Sequence, residues 1–249
     1  MPKIHLLMKK EDIDQQKLSD NKLVVVFDIL LATTTITAAL EFGAKEVIPV
    51  LNGTEAKKEA EGRIEGSYLL VGEYEGATLE GFLSPNPMGL KEIVSGKTII
   101  LSTTNGTVAL KNSEMAKKVY AASILNSKAV AEQLRNTHQG ESIILICSGS
   151  SGEFNIEDFI GAGYFIDCLL TGNFTCELTD AANAAYQFYL GSKGRSEEII
   201  KESNVGQMLT RYGFEEALTF VSKKSVCHVV PVLLDKSVVD EKRSVESIS

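Results

Sequence analysis

Three apolar runs in this chain each empty into a loop of hydroxyl and small residues, and this pattern restricts the fold more than any other. The first is Val24-Val25-Val26-Phe27, closed by Asp28 and followed shortly by Thr33-Thr34-Thr35. The second is Lys97 to Leu101, followed by Ser102-Thr103-Thr104-Asn105-Gly106-Thr107. The third is Ser142 to Cys147, followed by Ser148-Gly149-Ser150-Ser151-Gly152. A continuous β-branched run has no polar face, so it reads as a strand covered on both sides, as in parallel α/β sheets. Ligands of such sheets bind beyond the carboxyl ends of the strands. Glycine- and hydroxyl-rich loops there offer backbone N–H groups to an anion.

The first two runs also resemble each other. Thr33-Thr34-Thr35-Ile36-Thr37-Ala38-Ala39-Leu40 set against Thr103-Thr104-Asn105-Gly106-Thr107-Val108-Ala109-Leu110 shares the opening Thr pair, a third Thr and the closing Ala-Leu. A further apolar run follows each, Glu46 to Val50 and Lys118 to Ala121. This predicts a duplicated strand-helix-strand unit. Strand and helix patterns alternate along the chain. The expected fold is therefore three-layer α/β, with a largely parallel or mixed sheet and two similar halves from an internal duplication. Residues 1–235 read as one domain of two packed halves with their boundary near 120–140, and 236–249 as a C-terminal tail on the surface or frayed. Helices are expected over Glu55–Ile64, Asn126–Leu134, Ile156–Leu170, Asp180–Leu190 and Glu197–Lys201. Strands are expected over Tyr68–Val71 and Val226–Leu234. Leu83–Gly89 reads as irregular, because prolines flank Asn86.

The formal net charge of -8 and the lack of a basic run argue against nucleic acid as a partner. No apolar stretch approaches the ~18 residues of a membrane span, and no signal-peptide core opens the chain. No membrane partner is expected, and the expected location is the cytoplasm. The four cysteines form no CxxC pair or zinc spacing and are expected reduced. A homodimer is the expected assembly, as the commonest symmetric one.

Familiar phosphate chemistries fail on spacing. Gly96-Lys97-Thr98 has Lys91 where a P-loop needs its first glycine, and it precedes its strand. Cys147 has Glu153 where a thiol phosphatase needs Arg, and Asp28 has Leu30 where the common aspartyl-phosphate enzymes carry a second Asp. A carboxylate and hydroxyl site remains. Asp28, Glu73, Glu157 and Asp158 all fall at or just after expected strand ends. Such hard oxygen ligands suit Mg²⁺, which orients phosphate and polarises an attacking water. The candidate catalytic residues are Asp28, Glu73 and Asp158, with Glu157 added as a metal ligand. The candidate phosphate-binding residues are Thr33, Thr34, Thr35, Thr103, Thr104, Asn105, Gly106, Thr107, Ser148 and Gly149. The expected partner is a small anionic phosphate ester. Cys147 reads as a packed residue, since a buried thiol without a cationic neighbour stays protonated.

These residues carry a family likeness. Val24 to Thr35, Ala38-Ala39-Leu40 and Gly43-Ala44 resemble the opening of the 2-phosphosulfolactate phosphatase family. Gly72-Glu73, Gly81-Phe82, Thr103 to Thr107, Asn126 with Ala129, Cys147 with Gly149, and Glu157-Asp158 with Ala162-Gly163 follow in family order. Asp180-Ala181-Ala182 and Val229-Val230-Pro231 extend the match. The resemblance implies a Mg²⁺-dependent acid phosphatase that converts 2-phospho-3-sulfolactate to 3-sulfolactate and phosphate, a step of coenzyme M synthesis in some organisms.

Leu31 and Tyr74 stand where the family usually has arginine, and Ser84-Pro85-Asn86-Pro87 replaces its Gly-Asn-Ser-Pro block. Arginine is the side chain best suited to bidentate anion recognition, so Arg195, Arg211 and Lys128 are the candidates to compensate. The two replacements keep two further readings open: a phosphatase for another 2-phospho-hydroxy acid, or a non-catalytic binder of anionic metabolites.

Overall fold

The computed structural model describes residues 1–246 other than Asp20 and Asn173. Its strands are β1 (Lys3–Leu7), β2 (Lys22–Phe27), β3 (Glu46–Val50), β4 (Tyr68–Tyr74), β5 (Ala77–Thr78), β6 (Thr98–Ser102), β7 (Lys118–Ala122), β8 (Ser142–Cys147), β9 (Glu177–Leu178), β10 (Pro231–Leu234) and β11 (Ser237–Asp240). All lie in one 11-stranded sheet of order β5-β4-β6-β3-β11-β10-β7-β2-β8-β1-β9. Two parallel blocks, β4-β6-β3 and β7-β2-β8-β1-β9, are joined by the antiparallel hairpin β10–β11. The sheet is mixed, and helices cover both of its faces.

The helices are α1 (Gln15–Leu18), α2 (Ala32–Glu41), α3 (Gly53–Ala60), α4 (Pro87–Leu90), α5 (Gly106–Lys111), α6 (Ser127–Thr137), α7 (Ile156–Leu170), α8 (Asp180–Ser192), α9 (Ser196–Glu202), α10 (Asn204–Arg211), α11 (Glu215–Val221) and α12 (Glu241–Glu246). Alternate residues of each buried strand serve opposite faces. In β2, Val25 and Phe27 join α6, α7 and α8 in one cluster. Val24 and Val26 join α2, α5 and residues of the other block, Val47, Val71, Ile99 and Leu101, in a second. The helices α2 and α5 are thus packed on both parallel blocks at once. No described helix is long and apolar enough to cross a membrane.

The duplicated unit is visible as β2-α2-β3 and β6-α5-β7, each leaving one parallel block and entering the other. Its register differs from the one the sequence suggests. The Thr33 hydroxyl donates to the Asp28 carbonyl and accepts the Asp28 N–H, both at 2.9 Å. The Thr107 hydroxyl makes the same pair with Thr103, at 2.9 and 3.1 Å. Thr33 therefore corresponds to Thr107, one helical turn away from the sequence alignment. The counterpart of Asp28 is Thr103, so only one copy carries the carboxylate.

Two local expectations are corrected. The segment after Lys236 is not a surface tail. Ser237–Asp240 is a central strand with Val238 fully buried, and the Asp240 carboxylate takes the Val230 N–H at 2.9 Å. Residues 247–249 of that expected tail lie outside the described residues. Within Leu83–Gly89, Pro87 opens the single turn α4. Asn86 Oδ1 accepts the Met88 N–H, and proline is well suited to a first helical position.

Candidate active site

Asp28 leaves the end of β2 and is held between the first turns of α2 and α5. Its Oδ1 accepts the Ala32 N–H at 3.2 Å, and its carboxylate also takes the Gly106 N–H. The approach is close enough that Gly106 tolerates no side chain. An added Cβ would lie 2.6 Å from Asp28 Oδ2 and 2.5 Å from the Ala32 methyl. Burial pushes the Asp28 carboxyl up to about 7, the charges of Glu73 and Glu157 add to the rise, and the two N–H donors oppose it.

The opposite wall comes from β4 and the loop after β6. Glu73 Oε1 accepts the Thr104 N–H at 2.7 Å, and Oε2 accepts the Gly76 N–H at 2.7 Å and the Thr104 hydroxyl at 3.2 Å. Glu73 therefore braces the Thr103-Thr104-Asn105 loop against the β4–β5 turn. Asn105 Oδ1 accepts from Lys10 Nζ at 2.9 Å.

Asp158, in the first turn of α7, takes the Ile29 N–H at 2.8 Å and the Gly149 N–H at 3.1 Å. It ties the loops after β2 and β8 together. Burial, then the charges of Asp28 and Glu157, raise its carboxyl well above the ordinary range. Burial likewise raises Glu157, whose Oε1 is buried without a hydrogen-bond partner. The Ser148 hydroxyl is also buried without a partner. Cys147 is fully buried, and burial pushes its thiol far up, so it carries no thiolate chemistry.

These elements enclose a pocket of about 320 Å³. Of the expected site residues, Asp28, Glu73, Thr103, Thr104, Asn105 and Gly149 line it. Thr33, Thr34, Thr35 and Thr107 do not. They are fully buried, and their hydroxyls donate to the carbonyls of Asp28, Ile29, Pro85 and Thr103 respectively. Glu157, Asp158, Gly106 and Ser148 stand behind the wall rather than in it. Leu31 lines the pocket, whereas Tyr74 is largely exposed. Arg195, Arg211 and Lys128 do not line it, and Arg195 pairs with Glu198.

Two parts of the site escaped the sequence reading. Val205, Met208, Leu209 and Phe214, from α10 and the turn after it, form an apolar wall. Lys9 and Lys10, before and in the 3-10 turn Lys10–Asp12, bring ammonium groups up to the loops of the site, bonded to the Gly152 carbonyl at 2.7 Å and to Asn105. A basic pair directly after β1 was the available signal.

The lining carries three carboxylates, Asp28, Glu73 and Glu75, and no lysine, arginine or histidine. A phosphate entering there needs a countercharge. Among the described residues, no three His, Cys, Asp or Glu side chains form a ready ligand cage. Mg²⁺, however, is commonly held by one or two carboxylates together with waters and substrate oxygens. Asp28 and Glu73 fit that mode, and the unpartnered Glu157 Oε1 is a further buried oxygen in need of compensation.

The family model for 2-phosphosulpholactate phosphatase matches residues 7–236. A protein of Clostridium perfringens (strain SM101 / Type A), named probable 2-phosphosulfolactate phosphatase, is 41% identical over 232 residues, covering 92% of each chain. A protein of Carboxydothermus hydrogenoformans with the same name is 40% identical over 236 residues, again covering 92% of each. One of Clostridium acetobutylicum, likewise so named, is 37% identical over 231 residues, covering 92% of this chain and 96% of its own.

Proposed function

The chain belongs to the 2-phosphosulpholactate phosphatase family, and from that premise we propose that it hydrolyses 2-phospho-3-sulfolactate to 3-sulfolactate and phosphate with Mg²⁺ as cofactor. The observation that carries the reading is Asp28. It is a buried carboxylate at a parallel strand end, clamped by two helix-start N–H groups, in the same pocket lining as Asn105 and the Gly149 loop.

Hydrolysis forms a bond from a water oxygen to phosphorus and breaks the bond from phosphorus to the substrate's C2 oxygen. Bound by Asp28 and Glu73, Mg²⁺ would supply positive charge to the phosphoryl oxygens and polarise the water. The rest is done by the chain. In the loop Thr103-Thr104-Asn105 the threonine donors are held by Thr107 and Glu73, and the Asn105 side-chain amide is the donor offered to the phosphate. Glu73 holds that loop in place through Thr104. Asp158 fixes the Gly149 loop against the Asp28 loop, so the two walls keep their spacing. Leu31, Leu209 and Phe214 keep bulk water from the reacting groups. The test is phosphate release from 2-phospho-3-sulfolactate with Mg²⁺ and with EDTA. Release that requires the metal supports the reading. No release under any metal condition refutes the substrate.

One observation favours a second reading. Leu31 and the α10 wall make much of the lining apolar, which suits a 2-phospho-hydroxy acid with an uncharged substituent in place of the sulfonate. A higher kcat/KM for 2-phospholactate than for 2-phospho-3-sulfolactate would select it.

A further inference from the structure

We infer that Lys10 is a positioning residue of this site. It fixes the side-chain amide of Asn105 so that its NH₂ group, not its carbonyl oxygen, is presented to the phosphate. The inference rests on the phosphatase reading of the pocket.

An asparagine amide has two faces of opposite sense, and a 180° flip exchanges donor for acceptor. Beside an anion only one orientation helps. An ammonium group is a donor only, so Lys10 Nζ, 2.9 Å away, fixes Oδ1 as the atom on its own side. The NH₂ is then left on the other side, and it has no acceptor among the described residues. Asn105 lines the pocket, and the next residue, Gly106, lies against the Asp28 carboxylate. The free amide protons therefore belong to a side chain that lines the same pocket as Asp28.

Lys10 is itself well held. Its backbone N–H donates to the Ser148 carbonyl at 3.1 Å, which fastens the 3-10 turn to the end of β8. Its ammonium also pairs with Glu11 at 2.7 Å, and the Lys10 side chain is only 13% exposed, against 41% for Glu11. The more sheltered partner is thus the one turned toward the site. Without this ammonium, nothing described holds the Asn105 amide against rotation, and the flipped form would set a carbonyl oxygen against the phosphate.

A double-mutant cycle tests this directly, because a residue that acts only through Asn105 has nothing to do when Asn105 is gone. The variants are Lys10→Met, Lys10→Arg, Asn105→Ala and the Met/Ala double, assayed for phosphate release from 2-phospho-3-sulfolactate. Lys10→Met should lower kcat/KM by roughly tenfold, the value of one ordinary hydrogen bond. Asn105→Ala should lower it by roughly a hundredfold, as for loss of one preorganised donor. Lys10→Met in the Asn105→Ala background should change it by less than about twofold. Lys10→Arg, which keeps a donor toward Oδ1, should restore most of the loss. Multiplying effects, a silent Lys10→Met, or no rescue by arginine would each overturn the inference. If wild type releases no phosphate, the substrate reading has failed by itself. The same cycle is then read from thermal stabilisation by inorganic phosphate. A smaller shift in Lys10→Met that disappears as a difference in the Asn105→Ala background supports the inference, and equal shifts in all four proteins overturn it.

Discussion

Replacing Asp28 by asparagine should make the protein more stable, and increasingly so as the pH rises. The carboxyl has an ordinary value of 3.8 and stands at about 7 in the folded chain. Between those values the native state binds more protons than the unfolded state, so stability falls as pH rises from about 4 to about 7 and then levels off. Integrating that difference, the ionised group costs the native state ~4 kcal/mol at pH 8.5 but under ~2 kcal/mol at pH 5. The asparagine oxygen can keep the Ala32 N–H, while the amide nitrogen cannot accept the Gly106 N–H, a loss of roughly 1 kcal/mol. The net gain is then ~3 kcal/mol at pH 8.5 and less than ~1 kcal/mol at pH 5. Urea unfolding of both proteins without added metal, at both pH values, measures it. A difference independent of pH, or a variant less stable than wild type at pH 8.5, would refute the reasoning.

Other outcomes follow from neighbouring contacts. Gly106→Ala places a methyl 2.5–2.8 Å from Ala32 and Asp28, so it should cost ~1–3 kcal/mol of stability by overpacking and lower phosphate release more than tenfold; wild-type stability and activity would contradict the close packing. Mg²⁺ at about ten times its Kd should stabilise wild type by ~1.4 kcal/mol, and a thermal scan of Asp28→Asn should show little of that shift; an equal shift would put the cation elsewhere. Glu141, buried and bonded to Lys117 Nζ at 2.5 Å and the Gln139 N–H at 2.7 Å, is held down at about 2. Its contribution is present above pH ~4.5 and lost as pH falls through about 2. Because Lys117 is partly exposed, the discounted cost of Glu141→Gln at pH 7 is ~1–2 kcal/mol, read by urea unfolding; no loss would contradict the pairing.

The sequence was most legible where one local pattern decided the outcome. The apolar runs at β2, β6 and β8 have no polar face and can only be buried strands, and α7 appears over the full predicted span Ile156–Leu170. Short elements were less legible. β11 has only four residues, and α10 and α11 are held by packing rather than by propensity. The threonine cluster shows the limit at the site. Thr33, Thr34 and Thr35 sit beside Asp28 in sequence, but a helix turns successive side chains in different directions, and their hydroxyls found nearer carbonyls. Lys10 shows the converse. It lies 95 positions from Asn105, and only the parallel pairing of β1 beside β8 brings it to the pocket. Long-range placement of that kind leaves no mark in local spacing.

An experimental structure with Mg²⁺ and inorganic phosphate, the reaction's product, tests the central claim most directly. The account predicts phosphate in the pocket between the Thr103–Asn105 loop and the Gly149 loop, touching Asn105 Nδ2, with the cation on Asp28 and Glu73. Phosphate and cation bound together away from Asp28 would contradict it.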